Sequence, residues 1–575
     1  MGHIIMSKSE SVDCQPPREP VRGSAALEYL VPLLLYSFLA AASAYLRRGQ
    51  LNPDGTNYIR FATYIAEGRP WMAVSGYWSP LLVFCVAPFR ALGIDGQIAA
   101  RTVLALWGAV LVAGSTLLSR RCLNVPRLVR ILLACAVAAN AAFWTSNVIT
   151  PDLLLSACLL FYFPLACSPE ILSKTRLQCL AGAVGGLAYL AKSFGLPFVL
   201  AHYTLAVAFH CMVSKSSKIQ ALRAWMVGVA AFFVIAGPWI AVISYKYETL
   251  TVSRVGAAAF AIVGPDYVDQ PNSPKKYEPH SAALRLPAEG RLFLSEDLDM
   301  QPYHSWSPLE SKDNFLFFVR KIIHTSANIV DYMRSFDFFG CILLLAVCLP
   351  PLLLAVGQFD TRQAICYLGT IAMYCGGFLP VWCESRYMHG FVWVLLAAFS
   401  TQALCDVWKL LASHPRAADL RIRPLMLGTL AAVLLASAVY YPLSKTWSAG
   451  QLKLGPTPVH QVALELQSAG FAGPVAGCKH SYSRMAFLFA YYLNVPIYGE
   501  THAATVEDVE RDLDKWNVKI FVAMSDWTLY SDFTKGTHWV RKATKLIPPD
   551  PSMAKAGLWA DIYVVPSSVH PLAPK

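Results

Sequence analysis

The chain has 575 residues, of which 55% are hydrophobic and only 15% are charged. Soluble proteins carry about 25% charged residues, so this composition excludes an ordinary soluble enzyme and a disordered chain. Lys and Arg outnumber Asp and Glu by 48 to 36, which gives a net charge of +12. We interpret that excess as basic loops that orient membrane helices, and not as a surface for nucleic acid.

Long apolar stretches recur along the chain and predict a polytopic α-helical membrane protein. A membrane-spanning helix needs about 20 apolar residues, and stretches of this kind predict about eleven spans. The predicted spans are residues 27–46, 98–118, 128–148, 152–168, 177–191, 194–212, 223–245, 336–356, 363–382, 387–411 and 424–443. A polar tail, residues 1–26, is predicted to be cytoplasmic, and the first span is interpreted as an anchor, not a signal peptide.

The apolar stretch of residues 79–93 decides the orientation of every later span. It contains Pro80, Pro88 and Arg90, and we predict a helix that lies on the outer surface without crossing the membrane. The basic clusters between later spans then fall on the cytoplasmic side, as the positive-inside rule requires. Those clusters contain Arg120, Arg121, Arg127, Arg130, Lys174, Arg176, Lys215, Lys218, Arg223, Arg362, Arg416, Arg421 and Arg423.

Three polar regions are predicted to face outward: residues 47–97, residues 246–335 and the tail 445–575. The tail alternates helical and strand patterns, which predicts a small α/β domain after a membrane module of residues 27–444. The helical patterns cover residues 460–469, 485–493 and 506–516, and the strand patterns cover residues 474–476, 518–523 and 558–565.

Unusual polar residues gather at the predicted outer ends of the spans. They are Asp54 after the first span, Asp152 at the start of the fourth, Lys192 at the end of the fifth, and Glu384, Arg386 and Tyr387 at the start of the tenth. Ionisable groups at membrane depth are costly and often mark function, although a helix cap or an interfacial anchor explains any single one. A carboxylate can accept a proton from an attacking hydroxyl, and Lys and Arg can hold a phosphate. The set indicates transfer from a lipid-linked phosphate.

These motifs resemble those of the GT-C superfamily of integral-membrane glycosyltransferases, in the branch of the protein O-mannosyltransferases and the lipid A aminoarabinose transferase. The matching segments are Pro53-Asp54-Gly55-Thr56-Asn57-Tyr58, Thr150-Pro151-Asp152-Leu153, Leu190-Ala191-Lys192-Ser193 and Glu384-Ser385-Arg386-Tyr387. Two departures stand out. Gly55 follows Asp54 where relatives often have a second acid, and the segment Gly76-Tyr77-Trp78-Ser79-Pro80 lacks an expected Lys.

The resemblance implies a GT-C fold in a bacterial inner membrane, with the active site and the C-terminal α/β domain on the periplasmic side. It implies inverting transfer of a sugar from a polyprenyl-phosphate donor to a hydroxyl of a glycan, lipid or protein acceptor. Asp54 would be the general base, and Lys192 and Arg386 would bind the donor phosphate. The other implied substrate-binding residues are Asp152, Glu384, Tyr387 and Tyr58. No cofactor is certain, and Gly55 leaves dependence on a divalent metal open.

Two other classes of membrane protein fit the composition. A transporter would show charges at mid-membrane and paired halves, and the sequence shows neither. A lipid-linked glycan ligase or polymerase uses the same class of donor but would rely on outer arginines more than on a carboxylate.

Two further groups of polar residues lie outside these motifs. Tyr277, His280, Glu296, Asp297, Asp299, Tyr303, His304 and Trp306 occur in the second outer region, where a loop that folds over the site is the simpler interpretation. Cys478, Lys479, His480 and Arg484 occur in the tail, for which we predict a structural or acceptor-guiding role.

Overall fold

A computed structural model describes residues 22–47, 51–268, 284–300, 303–334, 361–412, 440, 443–444, 458–478, 485–546 and 556–565. These residues form a bundle of apolar helices and a smaller C-terminal unit that contains a β-sheet.

Most of the long apolar helices of the bundle begin and end within a few residues of the predicted spans, and shorter helices lie between them. In chain order they are α1 (Arg22–Leu46), α2 (Pro53–Ala66), α3 (Pro80–Ala91), α4 (Gly96–Cys122), α5 (Arg127–Asn147), α6 (Asp152–Ala166), α7 (Thr175–Ala191), α8 (Gly195–Ser214), α9 (Lys218–Lys246), α10 (Val255–Ile262), α11 (Lys312–Arg334), α12 (Thr361–Gly376), α13 (Ser385–Met388) and α14 (Phe391–Ala412). Five described helices, α1, α4, α5, α8 and α9, are long and apolar enough to cross a membrane. The predicted span 336–356 and nearly all of 424–443 lie outside the described residues, so the total of about eleven stays a prediction.

The helix α3 is too short to cross a membrane. It has 12 residues, which at 1.5 Å per residue span about 18 Å, against about 30 Å for the hydrocarbon core. Residues 79–93 therefore form a short helix between two spans, as the sequence predicts.

A buried carboxylate shows that the start of α1 and the end of α4 lie on the same side of the bundle. Glu28, near the start of α1, accepts hydrogen bonds of 3.0 Å from both Nε and Nη2 of Arg130, at the start of α5. Arg120, in the last turn of α4, lies 3.9 Å from the same carboxylate. The start of α1 and the end of α4 therefore lie together, so the chain between them returns to the side that it left. A crossing by α3 would have separated these ends.

Close packing of small residues joins α7 to α9. A Cβ atom added at Gly182 would clash with the carbonyl oxygen of Gly228, and one added at Gly186 would lie 2.8 Å from the carbonyl oxygen of Phe232. Glycines four residues apart on one helix face allow two backbones to approach in a membrane. This contact sets the position of Lys192, which directly follows α7.

The second outer region contains more regular structure than the sequence predicts. The interpretation of residues 246–335 as a long loop is wrong for α10 and for α11, which has 23 residues. The helix α11 places apolar residues such as Phe315, Phe318 and Ile322 at three- and four-residue spacing, a pattern of an amphipathic helix. Its mixed composition concealed it in a search for continuous apolar runs.

The C-terminal unit is a five-stranded sheet flanked by helices. Its elements are α15 (Pro458–Ser468), β1 (Val475–Cys478), α16 (Phe487–Leu493), β2 (Ile497–Thr501), α17 (Val506–Lys515), β3 (Ile520–Met524), α18 (Tyr530–Gly536), β4 (Val540–Leu546) and β5 (Ala560–Val564). The strand order is β2-β1-β3-β5-β4. The strands β2, β1 and β3 are parallel, whereas β5 is antiparallel to both β3 and β4. The sequence predicted α15, α16, α17, β1, β3 and β5 but not β2, α18 or β4.

The C-terminal unit is attached to the outer region of the bundle through the free edge of β2. The backbone N–H of Ile497 donates to the carbonyl of Leu292 at 3.0 Å, and that of Arg285 donates to the carbonyl of Tyr498 at 2.9 Å. The rings of Phe293 and Phe487 pack with centroids 4.7 Å apart. Two main-chain hydrogen bonds and one aromatic contact therefore attach the outer segment to β2 and α16. The predicted boundary near residue 445 lies outside the described residues, so the domain limits stay a prediction.

Candidate active site

Four separate elements bring their ionisable side chains together. Asp54 lies in the first turn of α2, Asp152 begins α6, Lys192 follows α7, and Arg386 lies in α13. Lys192 Nζ lies 2.5 Å from Asp152 Oδ1, and Arg386 Nη1 lies 2.9 Å from Asp54 Oδ2. Arg386 Nε is 3.5 Å from Asp152 Oδ2, which joins the two ion pairs. The residues that the sequence motifs singled out thus form one contiguous cluster.

Glu384 and Tyr387 complete this cluster. Arg386 Nη2 donates to Glu384 Oε1 at 3.0 Å, and the Tyr387 hydroxyl donates to the same oxygen at 3.3 Å. Lys192 Nζ lies 3.5 Å from the centroid of the Tyr387 ring, a cation–π contact. The Lys192 ammonium therefore contacts both the Tyr387 ring and the Asp152 carboxylate.

The position of Asp54 is determined by the contact between α2 and the segment that precedes α6. The side chain of Asn52 accepts a hydrogen bond of 2.8 Å from the backbone N–H of Ile149. A Cβ atom added at Gly55 would lie only 2.7 Å from Cβ of Ile149. The space beside Asp54 therefore admits no side chain, which explains why a second acid is absent there.

Asp54 is not a helix cap. The helix α2 begins at Pro53, and its N-cap residue is Asn52. Among the described residues the Asp54 carboxylate accepts a hydrogen bond from Arg386 and none from a backbone N–H. Its side chain is 36% exposed, so a substrate can reach it. The structural alternative, a carboxylate that caps α2, is therefore not what the geometry shows.

The cluster contains more negative than positive charge. Three carboxylates, those of Asp54, Asp152 and Glu384, face two cations, Lys192 and Arg386, and the difference is one negative charge. Arg386 Nε is buried without a hydrogen bond among the described residues, although Glu384 Oε2 lies 2.9 Å away. Arg386 Nε therefore lies between the carboxylates of Glu384 and Asp152, and its contacts with them are electrostatic.

The aromatic segment that includes Tyr77 and Trp78 also belongs to the site. Burial raises the pKa of Tyr77, and the nearby Asp54 carboxylate raises it further. The hydroxyl of Ser79 accepts a hydrogen bond of 3.2 Å from the backbone N–H of Ser193, next to Lys192. From the sequence alone this segment stood out only as a place where an expected Lys is missing. Its cluster of aromatic residues before a proline was the signal that could have indicated it.

Tyr58 lies beneath the cluster. It is buried, and its ring packs edge-to-face on Trp78 with centroids 5.2 Å apart. Burial raises the pKa of Tyr58, with further contributions from Asp54 and Asp152. Tyr58 is buried against Trp78 in the structure, so its direct contact with a substrate stays a prediction.

The polar residues of the second outer region form contacts of their own. Glu296 accepts a hydrogen bond of 2.6 Å from the Tyr64 hydroxyl, and Asp299 accepts one of 2.9 Å from the backbone N–H of Gly76. Trp306 stacks on Phe260 with centroids 4.7 Å apart. The first two contacts fasten the outer region to α2 and to the segment that contains Tyr77, and the third joins two parts of the outer region. Tyr277 and His280 lie outside the described residues.

The tail cluster is only partly described. Cys478 is buried at the end of β1, where its sulfur accepts from the backbone N–H of Met524 at 3.1 Å. Lys479, His480 and Arg484 lie outside the described residues. Cys478 thus has a structural place in the sheet.

Across the ranges that the structure describes, no group of three or more His, Cys, Asp or Glu side chains is arranged to hold a metal ion. Arg386 separates the carboxylates of Asp54, Asp152 and Glu384, because it contacts all three. The described residues do not fit a metal site in this arrangement.

Solved structures with a similar architecture include two membrane proteins, one bacterial and one archaeal. ArnT from Cupriavidus metallidurans in the apo state aligns over 94% of this chain and 99% of that chain, with a TM-score of 0.53 at 15% identity. The same protein bound to undecaprenyl phosphate aligns over 96% of this chain and 100% of that chain, with a TM-score of 0.49 at 15% identity. The apo oligosaccharyltransferase of Archaeoglobus fulgidus aligns over 85% of this chain and 69% of that chain, with a TM-score of 0.50 at 12% identity.

The comparisons by sequence are negative: no protein-family model and no curated protein matches the chain. ArnT and the archaeal oligosaccharyltransferase are both GT-C membrane glycosyltransferases. At such low identity their similarity to this chain shows the fold alone. That fold agrees with the one that the sequence motifs imply. The chain has the GT-C fold.

Proposed function

We propose that the protein transfers a sugar, with inversion, from a polyprenyl-phosphate donor to an acceptor hydroxyl at the outer face of a bacterial inner membrane. The observation that carries this proposal is the contact of Asp54 with Arg386 beside Lys192, at the ends of apolar helices. This arrangement offers a carboxylate for an alcohol proton and two cations for a phosphate. The GT-C fold supports a membrane glycosyltransferase.

The donor phosphate would bind at Arg386 and Lys192. Both cations are paired with carboxylates in the structure, so an entering phosphate must replace some of those contacts. Arg386 already contacts three carboxylates, so a phosphate can take the place of one of them without leaving the guanidinium unpaired. Guanidinium and phosphate form strong, charge-assisted hydrogen bonds, which favours the exchange.

The exchange would also free the base. Asp54 contacts Arg386 through a single oxygen, Oδ2. When the phosphate replaces Asp54 as a partner of Arg386, the Asp54 carboxylate becomes available to accept the proton of the acceptor hydroxyl. Binding of the lipid phosphate would in this way free the base.

The chemical step then balances without a general acid. The acceptor oxygen forms a bond to the anomeric carbon as the bond between that carbon and the phosphate oxygen breaks. The acceptor proton goes to Asp54, and the bonding pair leaves with the lipid phosphate. Lys192 and Arg386 stabilise the negative charge that develops on the leaving oxygen. Attack from the face opposite the phosphate inverts the anomeric centre.

The test is the substitution Asp54→Asn in the purified, full-length protein. Asn keeps the shape of the side chain but has no basic oxygen, and loss of a general base costs about a hundred- to ten-thousandfold in rate. A panel of synthetic undecaprenyl-phosphate sugars would be supplied with membranes from a deletion strain as acceptor. Mass spectrometry would follow the release of undecaprenyl phosphate, and NMR would report the anomeric configuration of the product.

Asp532→Asn is the matched control, because Asp532 is exposed at the start of α18 in the C-terminal unit. We expect Asp54→Asn to fold and to bind donor but to transfer almost no sugar, while Asp532→Asn stays active. Near-normal transfer by Asp54→Asn would contradict the assigned base, and retention of the anomeric configuration would contradict inversion.

A further inference from the structure

A large cavity lies between α1 and α4, beneath α2 and the C-terminal unit. Its volume is about 1040 Å³, and it is lined by residues of α1, α2, α4 and the C-terminal unit. None of the five ionisable residues of the candidate active site lines it. The cavity is therefore a separate feature, and the identity of its ligand does not depend on the proposed glycosyl transfer.

The lower part of the cavity is suited to hydrocarbon chains. Ala41 and Ala44 of α1 face Ala105, Leu106 and Ala109 of α4 across it. Both helices are long and apolar enough to span a membrane. On α4 the lining runs from the start of the helix to Ala109, a distance of about 20 Å at 1.5 Å per residue. This depth covers about two thirds of a hydrocarbon core of about 30 Å.

The upper part of the cavity is basic. Arg60, Arg90 and Arg101 line it, together with two acids, Glu67 and Asp95. The Asp95 carboxylate already accepts two backbone N–H groups at the start of α4. Glu67 pairs with Arg69. The acids of the lining are therefore committed elsewhere.

Arg60 makes its hydrogen bonds to neutral groups. Its Nη1 donates to the side chain of Asn494 at 3.2 Å, and its Nη2 donates to the Tyr64 hydroxyl at 3.4 Å. Neither Arg60 nor Arg90 forms an ion pair with a described acid; Arg90 donates to Thr63 at 3.1 Å instead. Arg101 is anchored by a hydrogen bond of 2.7 Å to the carbonyl of Ser146.

Aromatic groups of the C-terminal unit close the cavity at this end. Tyr491 and Tyr492 belong to the lining, and His460 stacks on Tyr492 with centroids 4.5 Å apart. Tyrosine is enriched where a membrane meets water, because its ring is apolar and its hydroxyl is polar. An amphiphile bound here would contact the bundle and the C-terminal unit at once.

We propose that this cavity binds one anionic phospholipid, with its phosphate at Arg60 and Arg101 and its acyl chains between α1 and α4. The polarity of the lining changes along the cavity as that of a lipid does, from cations at the head to small apolar side chains at the tails. The three arginines of the lining outnumber its two acids, and Glu67 is paired with Arg69 outside the lining, so the net positive charge favours an anionic head over a zwitterionic one. The bound lipid would fasten the C-terminal unit to the membrane helices.

The experiment titrates phosphatidylglycerol, and phosphatidylcholine as the zwitterionic comparison, onto the delipidated full-length protein in detergent. Native mass spectrometry would count the bound lipids. Wild type should bind one phosphatidylglycerol tightly and phosphatidylcholine at least about tenfold more weakly. Arg60→Gln and Arg101→Gln should each weaken phosphatidylglycerol binding by about ten- to a hundredfold, because each removes a charge-assisted hydrogen bond.

Two matched controls accompany these variants. Arg223→Gln removes the same charge from an exposed position near the start of α9, outside the cavity. Ala41→Phe fills the apolar part without altering charge, and Leu34→Phe adds a ring to an exposed position of α1 that does not line the cavity. We expect Ala41→Phe to abolish tight binding and both controls to keep it. Ala41→Phe also tests the site if Arg101→Gln fails to fold.

Three results would overturn the proposal. Equal binding of the two lipids would show that the anionic head is not recognised. Unchanged phosphatidylglycerol binding in Arg60→Gln and Ala41→Phe would show that lipid binds elsewhere on the protein. Loss of undecaprenyl phosphate binding in these variants, with phosphatidylglycerol unaffected, would assign the cavity to the sugar carrier.

Discussion

Arg386 is the residue on which the candidate active site depends most, because it contacts three carboxylates. Its Nη1 is 2.9 Å from Asp54, its Nη2 is 3.0 Å from Glu384, and its Nε is 3.5 Å from Asp152. The substitution Arg386→Gln removes the cation and leaves three carboxylates facing Lys192 alone. The charge of the cluster changes from minus one to minus two, which should affect both the stability of the fold and the binding of an anionic donor.

Two effects of different size are expected from Arg386→Gln. Removal of one partner from a buried ion pair costs about 3–5 kcal/mol of stability, and the 17% exposure of the Arg386 side chain places the loss near the lower value. Loss of its charge-assisted contact with the donor phosphate should reduce donor binding by about ten- to a hundredfold. Thermal unfolding in detergent and titration with a synthetic undecaprenyl-phosphate sugar would measure the two effects.

A second substitution separates the structural role of Arg386 from its role in binding. In the double variant Arg386→Gln/Glu384→Gln the cluster returns to a charge of minus one. We expect this variant to regain part of the lost thermal stability and none of the lost donor binding. Glu384→Gln alone is the control for the second change. Recovery of donor binding in the double variant would refute the reasoning, because Arg386 would then serve only to neutralise Glu384.

Three further changes test other parts of the structure. Lys192→Ala should weaken donor use by about ten- to a hundredfold, since it removes a charge-assisted contact, and normal use would place the phosphate elsewhere. Gly55→Ala should lower the free energy of unfolding by about 1–3 kcal/mol through its clash with Ile149, and an unchanged melting temperature would contradict the close packing. Burial raises the pKa of Glu296 above its ordinary 4.5, so its contribution to stability is present in acid and lost as pH rises through the raised value. Glu296→Gln should flatten that part of the pH profile of thermal unfolding, and an unaltered profile would assign it to other groups.

Much of the membrane bundle could be predicted from local sequence. Helices such as α4, α5 and α9 have ends within a few residues of the predicted spans, because continuous apolar runs need no partner to be recognised. The helix α11 and the strand β4 were missed, since their exposed faces interrupt the apolar pattern. In β4 most of the seven residues are exposed. Such elements depend on what packs against one face, which no short window of sequence contains.

The membership of the candidate site could be predicted, but not its connections. The sequence determined that Asp54, Asp152, Lys192 and Arg386 lie at the same end of the bundle, because apolar runs and basic loops together set the direction of each span. Only the tertiary structure decided that one guanidinium joins Asp54 to Asp152, and that Ile149 leaves no room beside Gly55 for a second acid. These contacts join residues that are far apart in the chain, and their distances depend on how whole helices pack. Local patterns specify the helices and their direction, whereas the ion pairs and the cavity arise only where separate helices meet.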